Sequence, residues 1–167
     1  MLSNVKEELN RFAKYVISQS RANLTRGKKN SSKELYNSLD SNVKVSKNSF
    51  ELTFLMEEYG VFQDKGVSGV KKKYNTKYAY TTKMPPPSKM DKWIVKKGIA
   101  PRDKDGKFIS RKSLQFMIAR SIFNNGIKPS LFFTKPFEKA FKGLNKDLVE
   151  AYKLDVEALM KNSINNK

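Results

Sequence analysis

The sequence predicts an α+β fold: a small antiparallel sheet packed by N-terminal and C-terminal helices, with a basic helical insertion between them. Three observations carry that expectation. Apolar residues recur every third or fourth position near both ends, one stretch alternates residue by residue, and a dense cationic block follows that stretch. At 167 residues the chain fits a single domain spanning 1–167, with a core of 1–65 and 127–162 and an insertion of 66–126.

The first element is an amphipathic helix over residues 3–24. Val5, Leu9, Phe12, Val16 and Ile17 form its apolar stripe, Ser3 is the expected N-cap, and Gly27 ends it. Ser31 and Glu34 are spaced as a capping box for a short helix through Leu39, with Leu35, Tyr36 and Leu39 as its apolar edge. A hairpin follows. Val43–Ser46 and Phe50–Met56 alternate around a Lys47-Asn48-Ser49 turn, so Val43, Val45, Phe50, Leu52 and Phe54 share the dry face. Tyr59 to Lys65 reads as a helical turn closed by Gly66.

Residues 66–87 have no period and hold Lys71-Lys72-Lys73, Tyr74, Tyr78, Tyr80 and Pro85-Pro86-Pro87, which together read as a long loop. Ser88 is placed to cap a helix from Lys89 to Lys97 that Gly98 stops, and Pro101–Lys107 is a charged turn. Ser110 opens a stronger helix lined by Leu114, Met117, Ile118, Ser121 and Ile122, closed at Asn124-Asn125-Gly126. Pro129–Thr134 suits a strand or a packed loop. From Pro136 a last helix runs to about Asn162 along Phe137, Phe141, Leu144, Leu148, Ala151, Tyr152, Val156, Leu159 and Met160.

Charge narrows the function. The net charge is +18, and residues 61–112 hold fifteen basic residues against four acidic ones, or +11 of that total. A cationic block this dense repels itself, which a polyanionic partner relieves; a plain solvated surface is the simpler alternative. The chain has no Cys and no His, so thiol chemistry, disulfides, Cys/His zinc sites and imidazole catalysis are excluded. No metal or other cofactor is expected. The acidic start Glu7-Glu8 does not suit a signal peptide, and no run approaches the ~18 apolar residues of a membrane span. The expectation is a soluble chain made in the cytoplasm, with no membrane partner.

The carboxylates are scattered, and Asp103-Lys104-Asp105-Gly106 lacks the ligands that continue a calcium loop, so it reads as a polar turn between helices. No nucleotide-binding glycine pattern appears, and no catalytic residue is assigned. The candidates for contact with DNA are Lys71, Lys72, Lys73, Lys77, Lys83, Lys96, Lys97, Arg102, Lys104 and Lys107, which suit phosphate contact without sequence readout. The tyrosines among them suit either stacking of single-stranded bases or packing on a neighbour. Tyr59, Phe62, Tyr78, Tyr80, Trp93, Phe132 and Phe133 are candidates for an interface between subunits, with Trp93 and the phenylalanines also suited to a core.

The order of signatures resembles a known family. A helix precedes the Ser31–Leu39 element, then come the hairpin, the Glu58-Tyr59-Gly60-Val61-Phe62-Gln63-Asp64-Lys65-Gly66 segment, and a Pro136-Phe137-Glu138-Lys139-Ala140 helix entry. This is similar to the neck, head–tail joining and tail-completion proteins of tailed bacteriophages. In them a Ser-Leu helix precedes the hairpin, and a Tyr-Ala-x-x-Val-Glu-x-Gly segment and a Pro-Phe helix follow it. The middle, from Met84-Pro85-Pro86-Pro87 through Trp93–Ile99 to Ile118–Ile122 and Gly126–Pro129, looks like insertions in virion-morphogenesis relatives, nearest to crAss-like and podovirus-type phages. Asp64-Lys65-Gly66 departs from the usual Glu-x-Gly.

The resemblance implies a homo-oligomeric ring in the virion, between a portal or adaptor protein and tail components, through which double-stranded DNA passes. It brings no catalytic residues. A free, non-specific nucleic-acid-binding module is the first alternative, and a small Mg²⁺-dependent nuclease the second.

Overall fold

A computed structural model describes residues 2–30, 32–46 and 49–165, with side chains through residue 162. In chain order the elements are α1 (Ser3–Arg26), α2 (Glu34–Ser38), β1 (Asp40–Val45), β2 (Phe50–Leu55), α3 (Tyr59–Lys65), a 3₁₀ turn (Pro87–Met90), α4 (Asp91–Lys97), α5 (Arg111–Asn125) and α6 (Thr134–Asn165). The fold is α+β, an antiparallel two-stranded sheet flanked by α1 and α6. The chain divides into two compact units. The first holds residues 1–27, 34–57 and 132–167, and the second holds 28–33 and 58–131.

In the first unit α1 and α6 run antiparallel. Val5 and Leu9 meet Ala151 and Leu148, and one level along Phe12 and Val16 meet Leu144, Ala140 and Phe137. The hairpin pairs Val43 with Leu52, Val45 with Phe50 and Ser41 with Phe54. Val43, Leu52 and Phe54 pack into the two helical clusters, as the alternation requires. Phe50 departs from the expected dry face at 48% exposed. It sits on the last described rung of the ladder, opposite Val45. Lys47 and Asn48, the heart of the expected turn, lie outside the described residues.

The rings of Phe12, Phe54, Phe133 and Phe137 meet edge-on at 5.2–6.2 Å, and Phe137 stacks on Phe133 and Phe141 at 6.0 and 5.6 Å. Such pairs add about 0.5–1.5 kcal/mol each beyond burial. Phe132 is 1% exposed among Leu24, Leu35 and Leu39, which corrects its candidacy for a subunit interface: it has no surface left to offer. Phe133 is half-buried against the same group. The Pro129–Thr134 segment is a packed turn, and α6 begins two residues before Pro136. Proline is tolerated there because first-turn amides have no helical acceptor.

Two helix ends are closed from a distance. Ser3 does not cap α1, whose first helical residue it is. The cap is Asp155 on α6, whose carboxylate accepts from the amides of Asn4 and Val5 (both 3.0 Å), the Asn4 side chain (2.8 Å) and the Ser3 hydroxyl (3.2 Å). One carboxylate thereby satisfies amides that the helix leaves open and complements its dipole. At the end of α2, the Arg21 guanidinium donates to the carbonyls of Tyr36 (3.1 Å) and Leu39 (2.9 Å) while lying over the Tyr36 ring. Ser31 of the expected capping box lies outside the described residues.

In the second unit Ser110 caps α5 as expected, accepting from the Ser113 amide at 3.1 Å. Ser88 does not cap α4; it lies within the 3₁₀ turn that leads into the helix. Leu114 and Ala119 are the buried residues of α5, with Ile118 and Ile122 half-buried, while Met117 and Ser121 face outward. Residues 114, 118 and 122 share one i, i+4 ridge, and 117 and 121 belong to the next.

Candidate nucleic-acid interface

The segment from 66 to 87 has almost no regular structure, yet it is stitched to its surroundings. Buried Ser68 is the knot. Its amide donates to Tyr78 O (2.8 Å), its carbonyl accepts from Tyr80 (2.8 Å), and its hydroxyl both accepts from the Tyr74 amide (2.9 Å) and donates to Tyr74 O (3.1 Å). Thr76 Oγ1 donates to Gly66 O at 3.2 Å. The amides of Val70, Lys71 and Lys72 donate to Phe123 O and Asn124 O at 2.9–3.1 Å, which satisfies carbonyls at the end of α5.

This approach is so close that only glycine fits. A Cβ on Gly69 would lie 2.2 Å from Asn124 O, and one on Gly126 would lie 2.1 Å from Val67 O. The Val67–Ile127 pair of hydrogen bonds (2.9 and 2.7 Å) continues the same seam. The expected long loop is therefore anchored by backbone hydrogen bonds, and its lysines project from a held main chain.

Lys71, Lys72 and Lys73 are exposed along this seam, beside the carbonyl end of α5, where positive charge is favoured. Lys72 lies over Tyr74 (5.8 Å to the centroid) and Lys77 over Tyr78 (5.2 Å). Lys83 is exposed in the run before Pro85, and Lys96 and Lys97 occupy the last turn of α4. Arg102, Lys104 and Lys107 sit on the turn between α4 and α5. There Arg102 donates to Gly106 O (2.8 Å) and covers the Phe108 ring at 3.9 Å. Asp103 spends its carboxylate on the amides of Asp105 (3.0 Å) and Lys107 (2.8 Å), so Asp103–Gly106 is a hydrogen-bonded turn.

The unit as a whole holds 20 Lys and Arg against 5 Asp and Glu, a net of +15 out of the chain's +18. Lys28, Lys29, Lys33, Lys65, Lys89, Lys92, Arg111, Lys112, Arg120 and Lys128 contribute to that total without having been named as candidates from the sequence. Contiguity in the chain hid the first three: 28–33 belongs to this unit although the 24 residues of 34–57 separate it from the rest.

Four of the seven aromatic candidates converge. Tyr59, Phe62, Tyr78 and Tyr80 line a cleft of about 560 Å³ with Gln63, Val67, Lys77, Ala79 and Ile127. Phe62 and Tyr78 meet edge-on at 4.8 Å, and Tyr80 leans on Phe123 at 6.3 Å. Burial pushes the Tyr80 phenol above its ordinary pKa. Gln63 Nε2 is buried with no acceptor. Trp93, 43% exposed on α4, is not part of the cleft, and Phe132 and Phe133 belong to the other unit.

Gln63 and Ser68 are the residues that reading the sequence missed. The glycines flanking Ser68 were its one signal. Among the described residues no group of three or more acidic side chains is placed to hold a metal ion, and no helix is long and apolar enough to cross a membrane. Basic side chains on anchored turns can meet phosphates along a backbone, and the arrangement offers no pattern for reading bases. The chain matches no protein-family model, no curated protein and no solved structure.

Proposed function

We propose that this chain is a structural subunit of a bacteriophage head–tail connector, a homo-oligomeric neck or tail-completion ring in the virion. It sits between a portal or adaptor protein and the tail components, and genomic DNA passes through it. The observation that carries the reading is the concentration of +15 in one unit, with its lysines exposed on turns that backbone hydrogen bonds hold in place. A ring multiplies such a charge around one axis. Lysines, as hydrated point charges, neutralise phosphate diffusely and let duplex DNA slide, where bidentate arginine contacts would hold it in place.

Binding of duplex DNA by the full chain tests this directly. Affinity falls with salt at a slope of about −0.9 per phosphate contact. Reversing Lys71, Lys72 and Lys73 to Glu leaves the fold intact, because all three are exposed. It reduces that slope by about 2–3 and impairs genome retention in assembled particles. An unchanged slope with fully infectious particles overturns the reading, as does Mg²⁺-dependent cleavage of the DNA.

A further inference from the structure

We infer that the cleft lined by Tyr59, Phe62, Tyr78 and Tyr80 stacks unpaired nucleobases of a single strand, whose phosphates meet the neighbouring lysines. This goes beyond the connector reading, which concerns duplex DNA, and shares only the cations with it.

Three short lengths of backbone hold the cleft in shape. Val67 pairs antiparallel with Ile127, and Ser68 pairs with Ala79, so 67–68, 78–80 and 127 form a small hydrogen-bonded platform. Tyr78 and Tyr80 come from that platform, and Tyr59 and Phe62 come from one face of α3, three residues apart. Rings on an anchored main chain lose little freedom when a base arrives, which favours binding. They also keep surface to offer. Tyr59 is 44% exposed and Phe62 40%, and Tyr78 and Tyr80 are half-buried. The edge-on contact of Phe62 with Tyr78 (4.8 Å) covers one face of one ring only.

Charge decides among occupants. Lys77 is the charged side chain among the lining residues, and it lies over Tyr78. Tyr80 leans on Phe123, whose carbonyl accepts from the Val70 amide, and the exposed run Lys71–Lys73 follows directly. Across 58–80, Lys65, Lys71, Lys72, Lys73 and Lys77 are exposed against Glu58 as the exposed acid, because Asp64 is buried. Duplex DNA matches these cations, but its base faces are covered within its own stack. An apolar peptide matches the walls and leaves the cations unmet. A single strand brings a flat π-face and a phosphate with every residue, and aromatic stacking beside a cationic track is how such strands are held. Stacking tolerates any base, which agrees with a cleft that has no pattern for reading sequence.

The full-length chain is titrated at one salt concentration with a short oligothymidylate, with an abasic deoxyribose-phosphate strand of the same length, and with oligouridylate. The oligothymidylate binds at least about fivefold tighter than the abasic strand, the scale of stacking one base. Oligouridylate bound as tightly assigns the cleft to either kind of single strand, and oligouridylate bound no better than the abasic strand restricts it to DNA. Phe62→Leu, at an exposed position, abolishes the preference for bases, and Phe62→Tyr keeps it. Both variants keep the duplex-DNA salt slope, so failure of this site is told apart from failure of the connector reading. Equal binding of the thymidylate and abasic strands by the native chain overturns the inference, as does a base preference that Phe62→Leu leaves intact. Self-association that Phe62→Leu weakens, in a chain without base preference, makes the cleft a contact between copies and overturns it too.

Discussion

In the α1/α6 unit, Val5, Val16, Leu24, Leu39 and Phe132 are almost wholly enclosed, and three apolar clusters follow one another along the helices. In the 58–131 unit the buried apolar residues among those described are Val67, Ile94, Leu114 and Ala119. Charge divides the opposite way, with +3 on the first unit and +15 on the second. Self-repulsion and a thin core both weaken a compact state. The second unit offsets this with directional bonds, namely the Ser68 knot, the 67–127 seam and the caps on α5. These bonds tie the main chain together without needing more buried apolar side chains, while Trp93, Val95, Phe108, Phe116 and Met117 of the same unit stay exposed.

The largest effect expected is in the apolar unit. Phe12→Ala removes two edge-on ring contacts and a buried ring from between α1, β2 and α6. It costs about 3–5 kcal/mol in denaturant unfolding. A loss below 1 kcal/mol breaks the claim that ring packing holds this unit.

Gly69→Ala strikes the hydrogen-bonded unit. The added Cβ meets backbone at 2.2 Å, which no rotamer relieves, so the seam must part at a cost of about 2–3 kcal/mol. Hydrogen exchange sharpens the contrast. Protection falls at Val70, Lys71 and Lys72 while the α1 and α6 amides keep theirs. A uniform rise in exchange across the chain would mean that one cooperative core holds both units.

Asp155→Asn has the smallest effect, about 1–2 kcal/mol. Burial raises the Asp155 pKa, but the amides of Asn4 and Val5 and the side chains of Asn4 and Ser3 more than reverse it, leaving the group below its ordinary value. The lowered folded pKa means that its stabilisation is fully present above about pH 4 and is lost as pH falls through the folded value. The Asn variant therefore shows a shallower loss of stability below pH 4. Parallel acid-unfolding curves for the two proteins would remove Asp155 from its capping role.

The elements legible in the chain were those whose cause lies within four residues. Val5–Leu9–Phe12–Val16 names its own buried stripe, the Val43/Leu52 pairing follows from period two, and Ser110 caps α5 from the adjacent position. The excess of Lys over Asp and Glu in 61–112 is likewise a count along the chain, and it marked the basic unit without any coordinates. Less was legible of the candidate site. The lysines and aromatics were visible by type, but nothing in their order separates Tyr59, Phe62, Tyr78 and Tyr80, which share a cleft, from Trp93, which stands apart, or Phe132, which is core.

Those sorting decisions depend on residues far apart in the chain. Asp155 reaches Val5 across 150 positions, Gly69 fits under Asn124 only because α5 ends there, and 28–33 joins a unit whose other part starts at 58. Helix and strand periods record which face of each segment is apolar and where its charge lies, because the backbone repeats locally. Which apolar faces meet, and which amides and carboxylates then find one another, follows from packing the whole chain at once, since a close-packed interior accepts few of the pairings that the local pattern permits.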